Sequence, residues 1–95
     1  MNVFVIGLGL IGGSMALDIK AADSRSTIFG VDANPNHAKE ALDLGIIDQI
    51  ASIENISEAD VVIISIPVNA MVVLLPQVLD AIHDNALVFD AGSTK

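Results

Sequence analysis

Val3-Phe4-Val5-Ile6-Gly7-Leu8-Gly9-Leu10-Ile11-Gly12-Gly13-Ser14 runs from a short apolar, β-branched segment straight into Gly-x-Gly-x-x-Gly, and a helix-compatible stretch follows at once. Each glycine has its own task in a turn that binds a dinucleotide. Gly7 permits the tight strand-to-helix turn, Gly9 lets a pyrophosphate approach the backbone, and Gly12 lets helix and strand pack closely. The phosphates then meet free N–H groups at a helix N-terminus, where the helix dipole favours negative charge. Leu8, Leu10 and Ile11 fill the positions between. Three glycines alone are a weak signal, but a strand before them and a helix behind make it stronger.

An acid at the right distance strengthens it further. Asp32 closes a second apolar run, Thr27-Ile28-Phe29-Gly30-Val31, and lies 20 residues beyond Gly12. A carboxylate there can accept hydrogen bonds from both hydroxyls of an adenosine ribose. It would repel a 2′-phosphate, and Ala33-Asn34-Pro35 brings no arginine to offset it, so the residues favour NAD over NADP. A second reading stays open, in which Asp32 merely caps the helix beginning near Pro35.

Composition narrows the classes. At 95 residues the chain is one domain at most. Hydrophobic residues make up 53 %, and the mean hydropathy of +0.67 suits a parallel sheet buried on both faces. Four basic against 12 acidic residues give a net charge of −8, which argues against nucleic acid or an anionic membrane as partner. The absence of cysteine removes disulfides, thiolate catalysis and zinc–thiolate sites. His37 and His83 fall in separate helices without ligand-like spacing, so they read as solvated or helix-terminal and no metal is expected. The pairs Glu54/Glu58 and Asp80/Asp84 read as solvated charge.

Two uncharged stretches bear on location. Met1 to Leu17 lacks the basic start and cleavage site of a secretory signal, and Val61 to Leu79 is interrupted by Pro67, Asn69, Pro76 and Gln77. A cytoplasmic protein is expected.

Hydrophobic periodicity then places the elements. Strands are expected at Asn2–Ile6, Thr27–Val31, Ile46–Ala51 (a poor edge strand broken by Asp48 and Gln49), Asp60–Ile66 and Ala86–Asp90. Helices are expected at Leu10–Ala22, at Pro35–Leu44 between an Asn34 cap and Gly45, and at Asn69–Ile82, divided or kinked by Pro76. Ile53–Ala59 reads as a connecting turn. Strand–helix alternation with short links implies an α/β fold, a Rossmann-type doubly wound parallel sheet of order 3-2-1-4-5, with a crevice at the carboxyl ends of strands one and four. Asp32 and Ala33 would sit on the adenosine side. Ser65, Ile66, Pro67, Val68 and Gly92 would sit toward the nicotinamide.

These residues resemble the prephenate dehydrogenase family, which carries out the oxidative step of tyrosine biosynthesis. The resemblance rests on Gly7-Leu8-Gly9-Leu10-Ile11-Gly12-Gly13-Ser14, Asp32-Ala33-Asn34, Leu44-Gly45-Ile46-Ile47-Asp48, Ser65-Ile66-Pro67-Val68 and Asp90-Ala91-Gly92-Ser93-Thr94-Lys95. It implies an oxidoreductase that uses NAD to decarboxylate prephenate oxidatively to 4-hydroxyphenylpyruvate. It also implies a histidine base downstream of the Gly-Ser-x-Lys segment, with Ser93 as an accessory catalytic residue beside the substrate hydroxyl. A C-terminal helical domain would bind substrate and build a homodimer. Neither His37 nor His83 can be that base, because both precede Gly92. The resemblance therefore implies an incomplete, truncated nucleotide-binding domain over residues 1–95, inactive by itself. Arogenate dehydrogenase, another two-domain NAD(P)-dependent reductase, and a non-catalytic nucleotide-sensing module remain as alternatives.

Overall fold

Every second residue of a strand faces the same side of its sheet, so a strand that is apolar throughout needs cover on both faces. The computed structural model provides that cover. It describes residues 1–7, 10–23, 25–66, 68–83 and 85–90, and the side chains of all of these except residues 10–13, 68, 71 and 90. The elements are β1 (Asn2–Ile6), α1 (Leu10–Ala22), β2 (Thr27–Val31), α2 (Pro35–Asp43), β3 (Gln49–Ile50), a 3-10 turn (Ile53–Glu58), β4 (Val61–Ile64), α3 (Val68–Ala81) and β5 (Leu87–Asp90). All strand pairs are parallel, in the order β3-β2-β1-β4-β5. This is the expected Rossmann-type arrangement. None of the described helices is long and apolar enough to cross a membrane.

β1 is the central strand, paired with β2 on one side and β4 on the other. Val3 and Val5 join Ala16 of α1 and Ala38 and Ala41 of α2 in one buried cluster. Phe4 and Ile6 face the other way and join Ile56, Val62, Ile64 and Val78. Full burial of each valine, isoleucine or phenylalanine among them contributes about 1.5–3 kcal/mol. Phe4 also stacks on Phe29 of β2, with ring centroids 4.7 Å apart.

The helix ends follow the sequence signals closely. Asn34 Oδ1 accepts the Asn36 N–H at 2.9 Å, and Pro35 occupies the first helical position, where no N–H is needed. At the other end Gly45 has φ of +76°, its N–H donates to Leu42 O, and the Ile46 N–H donates to Ala41 O. This is a Schellman ending, which needs a residue content in the left-handed region.

Three elements differ from expectation. β3 is only Gln49–Ile50, because Ile46 and Ile47 both donate to Ala41 O while finishing α2. Asp48 then replaces a further strand residue with its side chain: its N–H donates to Ile28 O at 2.8 Å, and its Oδ2 accepts the Ile28 N–H at 2.8 Å. β4 stops at both ends short of Asp60–Ile66. Asp60 is taken up at its head, where its carboxylate accepts the Asn2 N–H at 2.8 Å. α3 runs on through Pro76 undivided. Pro76 lies on the exposed side, where solvent can take over the carbonyl that loses its partner.

Lys20, in the last turn of α1, ties these parts together. Its Nζ donates to Ser26 O at 2.7 Å and to Asp48 Oδ2 at 2.9 Å. The Ile28 N–H, then the Lys20 ammonium, hold the Asp48 carboxyl below the usual aspartate range. A carboxyl lowered in the folded state takes up protons first in the unfolded chain, so its contribution is present at neutral pH and lost on acidification. Asp48→Asn should therefore be less stable than the parent at neutral pH, with the gap closing as pH falls through and below the aspartate range. Urea melts across that range check it, and a gap independent of pH contradicts it. Gly7→Ala, at a left-handed position walled in by Ser65 and Ile66, should cost at least about 2 kcal/mol in the same melts. A neutral substitution there would contradict the packing described below.

Candidate functional site

The site begins where β1 runs out. Gly7 has φ of +89°, and its N–H donates to Val31 O at 2.7 Å, extending the ladder to β2. On the other side the Ser65 N–H donates to Ile6 O at 2.8 Å, extending the ladder to β4. A β-carbon on Gly7 would come within 3.0 Å of the Ser65 carbonyl and 2.8 Å of Ile66 Cγ2. Both the φ angle and the space demand glycine. Its turn fixes the spacing of three strand ends.

Those ends open a cleft of about 660 Å³. Ile6 and Gly7 form its floor, with Val31, Asp32, Ala33 and His37 on the β2 side and Ser65, Ile66, Ala70 and Leu74 on the β4–α3 side. Ser52 and Ile53 reach it from beyond β3. Among the described residues, the wall is apolar apart from Asp32, His37, Ser52 and Ser65. A large, mostly apolar cleft with a few converging polar groups, at the carboxyl ends of a parallel sheet, is the usual place for a ligand in this architecture.

Asp32 is the charged group most enclosed by that wall, its side chain 12 % exposed. Oδ1 accepts the Asn34 N–H at 2.8 Å, and Oδ2 lies 3.5 Å from His37 Nδ1. The cap of α2 is Asn34, so the alternative in which Asp32 caps that helix does not hold.

Of the residues expected to meet a cofactor, Gly7, Asp32, Ala33, Ser65 and Ile66 come together on the cleft. Leu10, Ile11 and Gly12 form the first turn of α1, and Val68 opens α3. Leu8, Gly9, Pro67, Gly92 and Ser93 lie outside the described residues, as does Asp84. The sequence marks His37 only as a solvated or helix-terminal residue. It is 54 % exposed, yet it also stands on the cleft wall beside Asp32. Ser52, Ile53, Ala70 and Leu74 were not singled out. The rule that ligands gather at strand carboxyl ends pointed to Ser52 and Ile53, and the i, i+4 spacing of Ala70 and Leu74 marks one face of α3.

The second histidine is elsewhere. His83 follows α3, with Nε2 3.5 Å from Asp60 Oδ1 at the amino ends of the strands. The Asn2 N–H, with smaller help from His83, holds the Asp60 carboxyl below its ordinary range. Glu54 and Glu58 are exposed on the 3-10 turn. Among the described residues, no group of three or more His, Asp or Glu gathers as a metal site would require.

Comparison with known proteins agrees with this layout. Residues 15–95 match a family model described as prephenate dehydrogenase, nucleotide-binding domain. The prephenate dehydrogenase of Bacillus subtilis is 42 % identical over 97 residues, covering 99 % of this chain and 26 % of that protein. The Lactococcus lactis enzyme is 39 % identical, with 99 % and 27 % covered. A crystal structure of Aquifex aeolicus prephenate dehydrogenase in complex with hydroxyphenyl propionate and NAD+ superposes with a TM-score of 0.90 at 34 % identity, over all of this chain and 34 % of that one. The chain thus spans about a quarter to a third of the length of these relatives. Sequence, sheet order and family match agree, and the chain belongs to the prephenate dehydrogenase nucleotide-binding domain family.

Proposed function

We propose that the cleft binds NAD with its adenosine ribose on Asp32, as the cofactor-binding part of a prephenate dehydrogenase. One observation carries this reading: a largely enclosed carboxylate, steadied by the Asn34 N–H, ends β2 inside a cleft that begins at Gly7. The Aquifex aeolicus relative, complexed with NAD+ and hydroxyphenyl propionate, supports the cofactor and, by the likeness of that ligand to 4-hydroxyphenylpyruvate, the aromatic product.

The residues present fit such a cofactor. Asp32 accepts hydrogen bonds from ribose hydroxyls, and its charge disfavours a 2′-phosphate. Ile6, Ile66 and Leu74 keep water from the cleft wall, which strengthens every polar contact inside it. Leu8, Gly9, Leu10, Ile11 and Gly12 would lie against the pyrophosphate, and Ala33 beside the adenosine. Ser65, Ile66, Pro67, Val68 and Gly92 would border the nicotinamide half, with Ser93 near the substrate hydroxyl. When bound, NAD supplies the hydride acceptor for the oxidative decarboxylation of prephenate.

The residues do not supply the base. His37 stands beside Asp32, on the adenosine side, and His83 pairs with Asp60 at the opposite end of the sheet. The base and the helical domain for substrate binding and dimerisation are assigned to the length of the relatives that these 95 residues do not span.

Titration calorimetry should show NAD binding to the chain more tightly than NADP, with Asp32→Ala weakening NAD by about 10- to 100-fold. Tighter binding of NADP by the parent chain would overturn the reading. With prephenate and NAD, the 95-residue chain should give a flat absorbance trace at the NADH band. Sustained turnover would show that a base is present after all.

A further inference from the structure

We propose that the pair Asp32–His37, rather than Asp32 alone, sets which dinucleotide the cleft accepts: Asp32 excludes a 2′-phosphate, and His37 is the neighbouring group able to receive one. The proposal rests on the dinucleotide reading above and adds a specificity-determining residue to it.

Four observations support the role of His37. Its Nδ1 lies 3.5 Å from Asp32 Oδ2, so a ligand hydroxyl that donates a hydrogen bond to Asp32 arrives beside the imidazole. The side chain is 54 % exposed and lines the cleft, so a ligand can reach it. Among the described residues of the cleft wall there is no lysine or arginine. His37 also occupies the first turn of α2, where the positive end of the helix dipole favours an anion.

The chemistry follows from charge. A ribose 2′-oxygen within about 2.7 Å of Oδ2 would carry any phosphate toward His37. An imidazole N–H donates to a phosphate oxygen in a charge-assisted hydrogen bond. In the parent chain the full negative charge of Asp32 opposes that gain, and NAD is preferred. Removing the charge leaves the donor in place, so the latent phosphate site is exposed by substitution at position 32 and abolished by substitution at position 37.

The test uses NAD and NADP with four proteins: the parent, Asp32→Ser, Asp32→Ser combined with His37→Ala, and His37→Arg. Asp32→Ser should tighten NADP about tenfold over the parent, and adding His37→Ala should remove most of that gain. His37→Arg, at an exposed position, should lower the ratio of the NADP to the NAD dissociation constant. Equal NADP affinity with and without His37 on the Asp32→Ser background overturns the proposal. If Asp32→Ser fails to fold, an unchanged ratio in His37→Arg overturns it instead. Failure of the parent to bind either dinucleotide would defeat the cofactor reading itself, a different outcome from failure of His37 to discriminate.

Discussion

The Ser65 carbonyl lies where a β-carbon on residue 7 would have to go, and most of the site follows from that closeness. Because residue 7 has no β-carbon, β1 keeps its register to its last hydrogen bonds on both sides, to β4 through Ser65 N–H to Ile6 O and to β2 through Gly7 N–H to Val31 O. The backbone then leaves the sheet through a positive φ, an angle that costs most residues about 1–2 kcal/mol and glycine almost nothing. A larger residue would push β4 from β1 and widen the floor of the cleft. Position 7 thus governs both the cohesion of the sheet and the shape of the opening at its carboxyl edge.

The two ends of the sheet divide the labour. At the carboxyl ends, Asp32, His37, Ser52 and Ser65 are spaced around a cavity. At the amino ends, Asp48 and Asp60 use carboxylates to extend strand ladders, each accepting a backbone N–H from the adjacent strand. Lys20 adds an ion pair at one and His83 a longer contact at the other. Four acidic or basic side chains therefore serve cohesion at the amino ends of the strands. At the ligand end, the Asp32 carboxylate accepts the Asn34 N–H and faces His37 on the cleft wall. Under the proposed reading, backbone amides and helix ends, not a basic surface, would attract the anionic cofactor to an acidic chain.

Much of this was legible because local rules and tertiary needs agreed. Asn34-Pro35 and Gly45 mark α2 through capping chemistry that acts within a few residues. The burial of Val3, Phe4, Val5 and Ile6 on alternate faces of the sheet follows from an unbroken apolar run. Legibility failed where one side chain took the place of a backbone group. The Asp48 carboxylate stands in for a strand residue, and nothing in the local pattern distinguishes that from an ordinary edge acid. His37 was hidden for a related reason. Its exposure was foreseeable, but its position beside Asp32 depends on how the Asp32–Asn34 turn aims α2, which only the assembled fold reveals.

The central claim is that the enclosed carboxylate at the end of β2 receives the ribose of a dinucleotide. A crystal structure of the chain with NAD tests it most directly. The account predicts the adenosine ribose hydroxyls within about 3 Å of the Asp32 carboxylate, and the pyrophosphate over the turn that follows Gly7. A dinucleotide bound elsewhere, or in the cleft with its ribose turned away from Asp32, would contradict it.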